Sequence, residues 1–190
     1  MVNRRNIASS LLIALPVALT ACEEAPQTVS LHHVDGAWSL AQGAMRDAPL
    51  LVVVEGQPFS APTTRVEVEA SVVQVMTEAV TWTEMPRFTT DPAEAISQTL
   101  RIVITFNALE GTGSPRQRTN AHEQCTGQSR GGGPLPAGRV RIIGTFCDAA
   151  TVLVTVSGQV GDVDDRHDPQ FAGLVRQVTL DMLSPQQTRP

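Results

Sequence analysis

His122 and Cys125 stand three residues apart, and Cys147 follows on a separate segment. An imidazole and two thiolates are ligands that zinc accepts, but zinc takes three or four, and no fourth is set by the spacing. His122 or Glu123 with Asp148 would supply a carboxylate or imidazole for hydrolysis beside the 107–138 segment. General acid–base work also needs a second positioned group and a pocket, and the pattern specifies neither. Asp162, Asp164 and Asp165, with Asp168 just beyond, space carboxylates as a divalent-cation loop does. The central glycine and closing glutamate of an EF-hand loop are missing, so a solvated acidic loop is the simpler reading. Arg166-His167 flank these acids, and His32-His33 lie near the N-terminus; all read as surface residues. Arg130-Gly131-Gly132-Gly133 looks like a phosphate loop, but it runs into Pro134 and Pro136 rather than into Lys-Ser/Thr and a helix. It reads as a flexible loop. The residues define no catalytic set and no cofactor.

Arg101, Arg139 and Arg141 form a different constellation. All three fall on the outward phase of strand-like segments, so neighbouring strands would gather them into a basic patch for a partner. Pairing with acids across the strands is the competing outcome. Trp82 and Phe59 lie near turns, where they would either anchor a partner or fill the core.

The elements that must carry these residues follow from periodicity. Residues 50–56, LLVVVEG, are an apolar valine-rich run that predicts a strand covered on both sides. Residues 63–81 lack Gly and Pro and place Val66, Ala70, Val73, Thr77 and Val80 on one stripe, which predicts a helix despite its valines. Residues 31–49 leave a short helix and an irregular arm open, with Trp38, Ala41 and Met45 on one face and Asp35 as a cap. Residues 82–98 read as a loop with room for a short strand at 87–89. In TLRIVITF, residues 99–106, Leu100, Ile102, Ile104 and Phe106 alternate with Thr99, Arg101, Val103 and Thr105, predicting a strand with one buried face.

Residues 107–138 have no periodicity and make a connection longer than compact domains normally use. Residues 139–147 and 151–158 alternate again and are joined by Asp148-Ala149-Ala150, the mark of a tight hairpin. Gly144 sits where a glycine would relieve crowding. Asp168-Pro169 opens a last helix, capped by Asp168, with Phe171, Leu174, Val175, Val178 and Met182 on its apolar face. The expected fold is α+β: a mainly antiparallel sheet of about four strands with two helices on one face.

The N-terminal segment has its own logic. Arg4 and Arg5 precede an apolar run from Ile7 to Leu19 that is interrupted by two serines and Pro16. A span needs roughly 20 apolar residues, so the run fits the apolar part of an export signal. Leu19-Thr20-Ala21-Cys22 resembles the lipobox of bacterial lipoproteins. The resemblance implies cleavage before Cys22 and a lipid on its thiol, with a bilayer as the first partner; two or three acyl chains suffice for stable anchoring. Glu23, rather than aspartate, follows the cysteine, which by the same resemblance favours the periplasmic face of the outer membrane over the inner membrane. Residues 1–21 are then the signal, 22–30 a tether, 31–185 one periplasmic domain and 186–190 a polar tail. With Cys22 acylated and the domain exported, Cys125 and Cys147 become the natural disulfide pair of an oxidising compartment; the zinc reading of the same thiols is its competitor.

Composition narrows the partners further. The chain has 14 basic residues, all arginine, against 19 acids; loss of Arg4 and Arg5 with the signal leaves 12 against 19, a formal charge near −7. That balance disfavours nucleic acid, which is bound through clustered positive charge. The expectation is a non-enzymatic accessory lipoprotein of the envelope that binds a protein. The alternatives are a small-ligand or divalent-metal binder, or a hydrolase using the 107–138 region.

Overall fold

The computed structural model describes residues 25–60, 62–83, 87–108 and 121–185. Residues 1–24, which include the expected signal and Cys22, and the tail 186–190 lie outside them. In chain order the elements are β1 (Gln27–His33), α1 (Ala37–Asp47), β2 (Leu50–Glu55), α2 (Arg65–Ala79), β3 (Phe88–Thr89), β4 (Leu100–Phe106), α3 (Ala121–Cys125), β5 (Val140–Asp148), β6 (Thr151–Val160) and α4 (Pro169–Leu183). A 3₁₀ turn spans Pro136–Gly138.

The strands make one sheet in the order β1-β6-β5-β4-β2-β3. From β1 to β4 neighbours are antiparallel, whereas β2 runs parallel to both β4 and β3. The expected sheet of about four mainly antiparallel strands with two helices is therefore corrected to a mixed sheet of six strands with four helices. Residues 27–30, assigned to the tether, are the first half of β1. Their sequence is polar and mostly exposed, so no burial pattern marks them as a strand. The parallel pairing of β2 with β3 arises because α2 carries the chain across the sheet between them, as parallel neighbours require.

One face of the sheet is buried under α1, α2 and α4. Val52 and Val54, Ile102, Ile104 and Phe106, Ile142 and Phe146, and Val154 and Val156 point into it. Against them lie Met45, Val72 and Met76, and Phe171, Leu174, Val178 and Met182 from the helices. Phe171 anchors this layer, with its ring 5.0 Å from that of Phe59 and 5.8 Å from that of Phe106. A Cβ at Gly144 would lie 2.8 Å from Val178 Cγ1, so the glycine lets α4 settle onto the strand.

Three of the helices begin for a local reason. Asp168 caps α4, its Oδ1 accepting from Gln170 N at 2.8 Å, and Pro169 takes the first helical position. Thr64 caps α2 in a reciprocal box, its hydroxyl accepting from Glu67 N while Glu67 accepts from Thr64 N. α1 starts at Gly36 in the left-handed region, at φ 85°, and not at the expected Asp35. The expected α2 exists, but the buried stripe is Val68, Val72, Val75, Met76 and Ala79, and Val66 is 72% exposed. Valine occurs all round this helix, so the pattern alone does not select a face; packing on α4 and the sheet does.

Candidate functional site

The opposite face of the sheet is where the structure leaves room. Over β4 and β5 this face is covered by α3, a five-residue helix held by directional bonds more than by area. Cys125 and Cys147 form a disulfide that ties α3 to β5. Both sulfurs are thereby removed as thiolate ligands, and the zinc reading loses two of its three donors. The buried Gln124 amide donates to Thr105 Oγ1 at 2.8 Å and to the Ile143 carbonyl at 2.9 Å, and its oxygen accepts from Thr145 Oγ1. Arg101 donates to the carbonyls of Cys125, Gln98 and Thr99. Because α3 sits over them, Val103 and Thr105 are buried as fully as Ile102 and Ile104. The single buried face expected of β4 is corrected to two.

Residues 130–133, expected as a flexible loop, are close-packed backbone across the ends of β2 and β4. Gly132 N donates to Phe106 O at 2.9 Å, and Gln57 N donates to Gly132 O at 2.8 Å. A Cβ on Gly131 would fall 2.1 Å from Gly56 N, so only glycine fits there. Asn107, at φ 46°, holds the same corner, donating to Gly133 O and accepting from Arg141 N, both at 2.9 Å. The crevice beyond the C-terminal ends of the parallel strands, a common ligand position in α/β sheets, is thus filled by the chain itself.

Beyond α3 the described residues leave the face open. A groove of about 620 Å³ runs over β5, β6 and β1, with Arg141, Ile143, Thr155, Ser157 and Gln159 on its floor and Gln27, Val29, Leu31 and His32 along its outer side. Val29 is 59% and Leu31 61% exposed. A smaller cavity of about 230 Å³ adjoins it, lined by Ala25, Gln27, Arg139 and Gln159. Apolar and polar side chains alternate across this surface, and Arg141 and His32 are the cationic or cationisable groups lining the groove.

No protein-family model matches this chain, and no curated protein or solved structure matches it.

The three arginines share a face but not a place. Arg139 and Arg141 lie together beside the two cavities, at the start of β5. Arg101 pairs with Cys147, six register positions further along β5 and so roughly 20 Å away. Its guanidinium is occupied by carbonyls. The acidic residues do not converge on a centre. Asp165 Oδ1 accepts from His167 N at 2.7 Å, Asp168 accepts from Gln170 N and Asp164 N, and Asp162 turns the backbone at φ 53°. Among the described residues no three His, Cys, Asp or Glu side chains gather as metal ligands. His122, Glu123 and Asp148 are exposed and line neither cavity. His33 is half-buried, and desolvation lowers its pKa, opposed by Asp35 and reinforced by His32. Phe59 is core, and Trp82 packs edge-to-face on Trp38 at 6.0 Å on the helix side.

Sequence reasoning missed the groove because its outer side is β1. The available signal was Val29-Ser30-Leu31, an apolar pair two apart, as on one side of a strand. Among the described residues no helix is long and apolar enough to cross a membrane.

Proposed function

We propose that this chain is a non-enzymatic accessory lipoprotein of the bacterial cell envelope, anchored through acylated Cys22 at the periplasmic face of the outer membrane, and that its domain binds an envelope protein. The observation that carries the protein-binding part is the groove over β5, β6 and β1 with the exposed Val29 and Leu31 on its outer side. Exposed apolar side chains beside a polar, half-open floor suit a protein surface better than a deep ligand pocket. The Cys125–Cys147 disulfide agrees with an oxidising compartment. The lipobox-like Leu19–Cys22 supports the anchor.

Two measurements test this. Radiolabelled palmitate should enter the wild-type chain and not Cys22→Ser, and lack of label in the wild type overturns the anchor. A photo-crosslinking residue at Ser157 or Gln159, introduced in living cells, should yield one recurrent adduct with another envelope protein. No adduct from either position, with the chain at normal abundance, sinks the partner reading. A small-ligand reading is the second choice, favoured by a groove volume within the range of about 300–1,000 Å³ typical of such sites; native mass spectrometry would then find a bound small molecule in place of the adduct.

A further inference from the structure

β1 ends the sheet, and its outer row of N–H and C=O groups meets no strand among the described residues. Proteins protect such edges by shortness, proline, charge or a bulge. The opposite edge, β3, is protected by its length of two residues. β1 is seven residues long, QTVSLHH, with no proline and no Asp, Glu, Lys or Arg. Its one protective feature is the register shift between Ser30 and His32, a bulge at Leu31 that leaves Gln27–Ser30 as regular strand. Another extended strand is what completes a backbone edge of this kind, since it alternates donors and acceptors at the same interval.

The side chains indicate whose strand. Val29 and Leu31 flank Ser30 and are the two large apolar side chains most exposed on β1. In an antiparallel pair of identical strands centred on Ser30, Val29 of each copy lies opposite Leu31 of the other. Ser30 meets Ser30, and the matched register ends at the bulge at Leu31, which turns His32 to the face of Val29 and away from that of Thr28. Apolar residues oppose apolar ones twice, and no acid opposes an acid. That self-complementarity is what an isologous twofold contact requires. We propose that two copies of this chain pair through their β1 edges, antiparallel about Ser30, and extend the sheet across the twofold axis.

Magnitude explains where this would occur. One strand edge buries much less than the roughly 1,200–2,000 Å² of stable interfaces, so the pair is weak in dilute solution. Anchoring both copies in one leaflet raises their effective concentration; in this respect the proposal rests on the anchored reading. The geometry allows it. Paired about Ser30, the two Gln27 residues are about 20 Å apart along the strands. Cys22 precedes Gln27 by five residues, a reach of at most about 17 Å. Both anchors therefore reach one membrane surface when the twofold axis stands normal to it.

The test is Ser30→Cys in the full-length chain in its own envelope. Facing Cα atoms in antiparallel pairs are about 4.5–5.5 Å apart, inside the range a disulfide bridges. On mild oxidation a species of twice the chain mass, reversed by reductant, should predominate. Adding Leu31→Lys should lower its yield at least about tenfold, and Leu180→Cys, partly exposed on α4, should stay monomeric. A monomeric Ser30→Cys chain that still takes palmitate overturns the proposal. So does an adduct of any other mass, which would mean a different partner's strand, or a crosslink indifferent to Leu31→Lys. If palmitate is not incorporated, the anchor has failed independently; the purified chain carrying Ser30→Cys and Cys22→Ser at millimolar concentration then decides, a dimer supporting the pairing and a monomer overturning it.

Discussion

The two faces of this sheet are held by different physics. Under α1, α2 and α4 the strands bury a continuous apolar layer in which Ile102, Phe106, Phe146, Phe171 and Met182 are essentially inaccessible to water. Area does the work there, at about 25 cal/mol per Å² removed from water. On the other face α3 has five residues, too few for a hydrophobic stripe, and is fixed by a disulfide, one buried glutamine and an arginine. The first arrangement spreads its stability over many contacts. The second concentrates it in a few groups and, among the described residues, leaves β1 and the part of β6 beside it uncovered. A sheet that is fully closed on one side and latched at a single point on the other keeps an accessible surface without sacrificing its core.

Perturbations of unequal size should separate the two faces. The largest effect is expected on the helix side. Phe171→Ala removes a ring stacked on Phe106 and edge-on to Phe59, and should cost about 3–5 kcal/mol in urea unfolding. Replacing Cys125 and Cys147 together by serine opens a loop with a sequence separation of 22 and should cost roughly 3–4 kcal/mol by the chain-entropy model. Hydrogen exchange should then rise first in α3 while α4 stays protected; equal loss in both would erase the proposed distinction. Gln124→Leu strands the Thr105 and Thr145 hydroxyls and the Ile143 carbonyl, with an expected cost of about 1–3 kcal/mol. Its effect should be much smaller in the double-serine background if disulfide and glutamine form one latch.

The smallest effect concerns pH and the helix side again. Thr64 hydrogen bonds, through its backbone N–H first and its side chain next, hold the Glu67 pKa below its ordinary value, with Arg166 and His167 adding to this. A depressed folded-state pKa contributes stability that is complete above the unfolded value and is lost as pH falls through the folded one. Glu67→Gln should therefore flatten the acid limb of the stability profile slightly, and an unchanged limb would remove Glu67 from the account.

Much of this was legible along the chain. Asp168-Pro169 and the 3.6-residue spacing from Phe171 to Met182 specify α4 and its buried face, since cap and stripe are both local signals. The hairpin of β5 and β6 follows from two alternating runs joined by a tight turn. Plain alternation would set Val152 beside Val154 and Val156, but the register shift between Phe146 and Cys147 turns it to the disulfide side. α2 was legible as a helix, but its face was not, because apolar residues surround it. The 121–133 region was opaque because its order comes from one disulfide and from backbone approaches that leave no periodic trace. The candidate groove was hidden for a related reason: β1 is polar and lies against β6, more than a hundred residues away.

What the sequence determines by itself here is local: where β2, β4, β5, β6, α2 and α4 lie, which side of β5 and α4 is apolar, and the lipobox-like box at Cys22. Alternation and capping act over a few residues, so they are readable without the fold. Strand order, the insertion of β2 between β4 and β3, the seating of α3 and the free edge at β1 were settled only in three dimensions. They depend on which buried surfaces fit one another across long loops, and that competition is decided by packing and chain connectivity together.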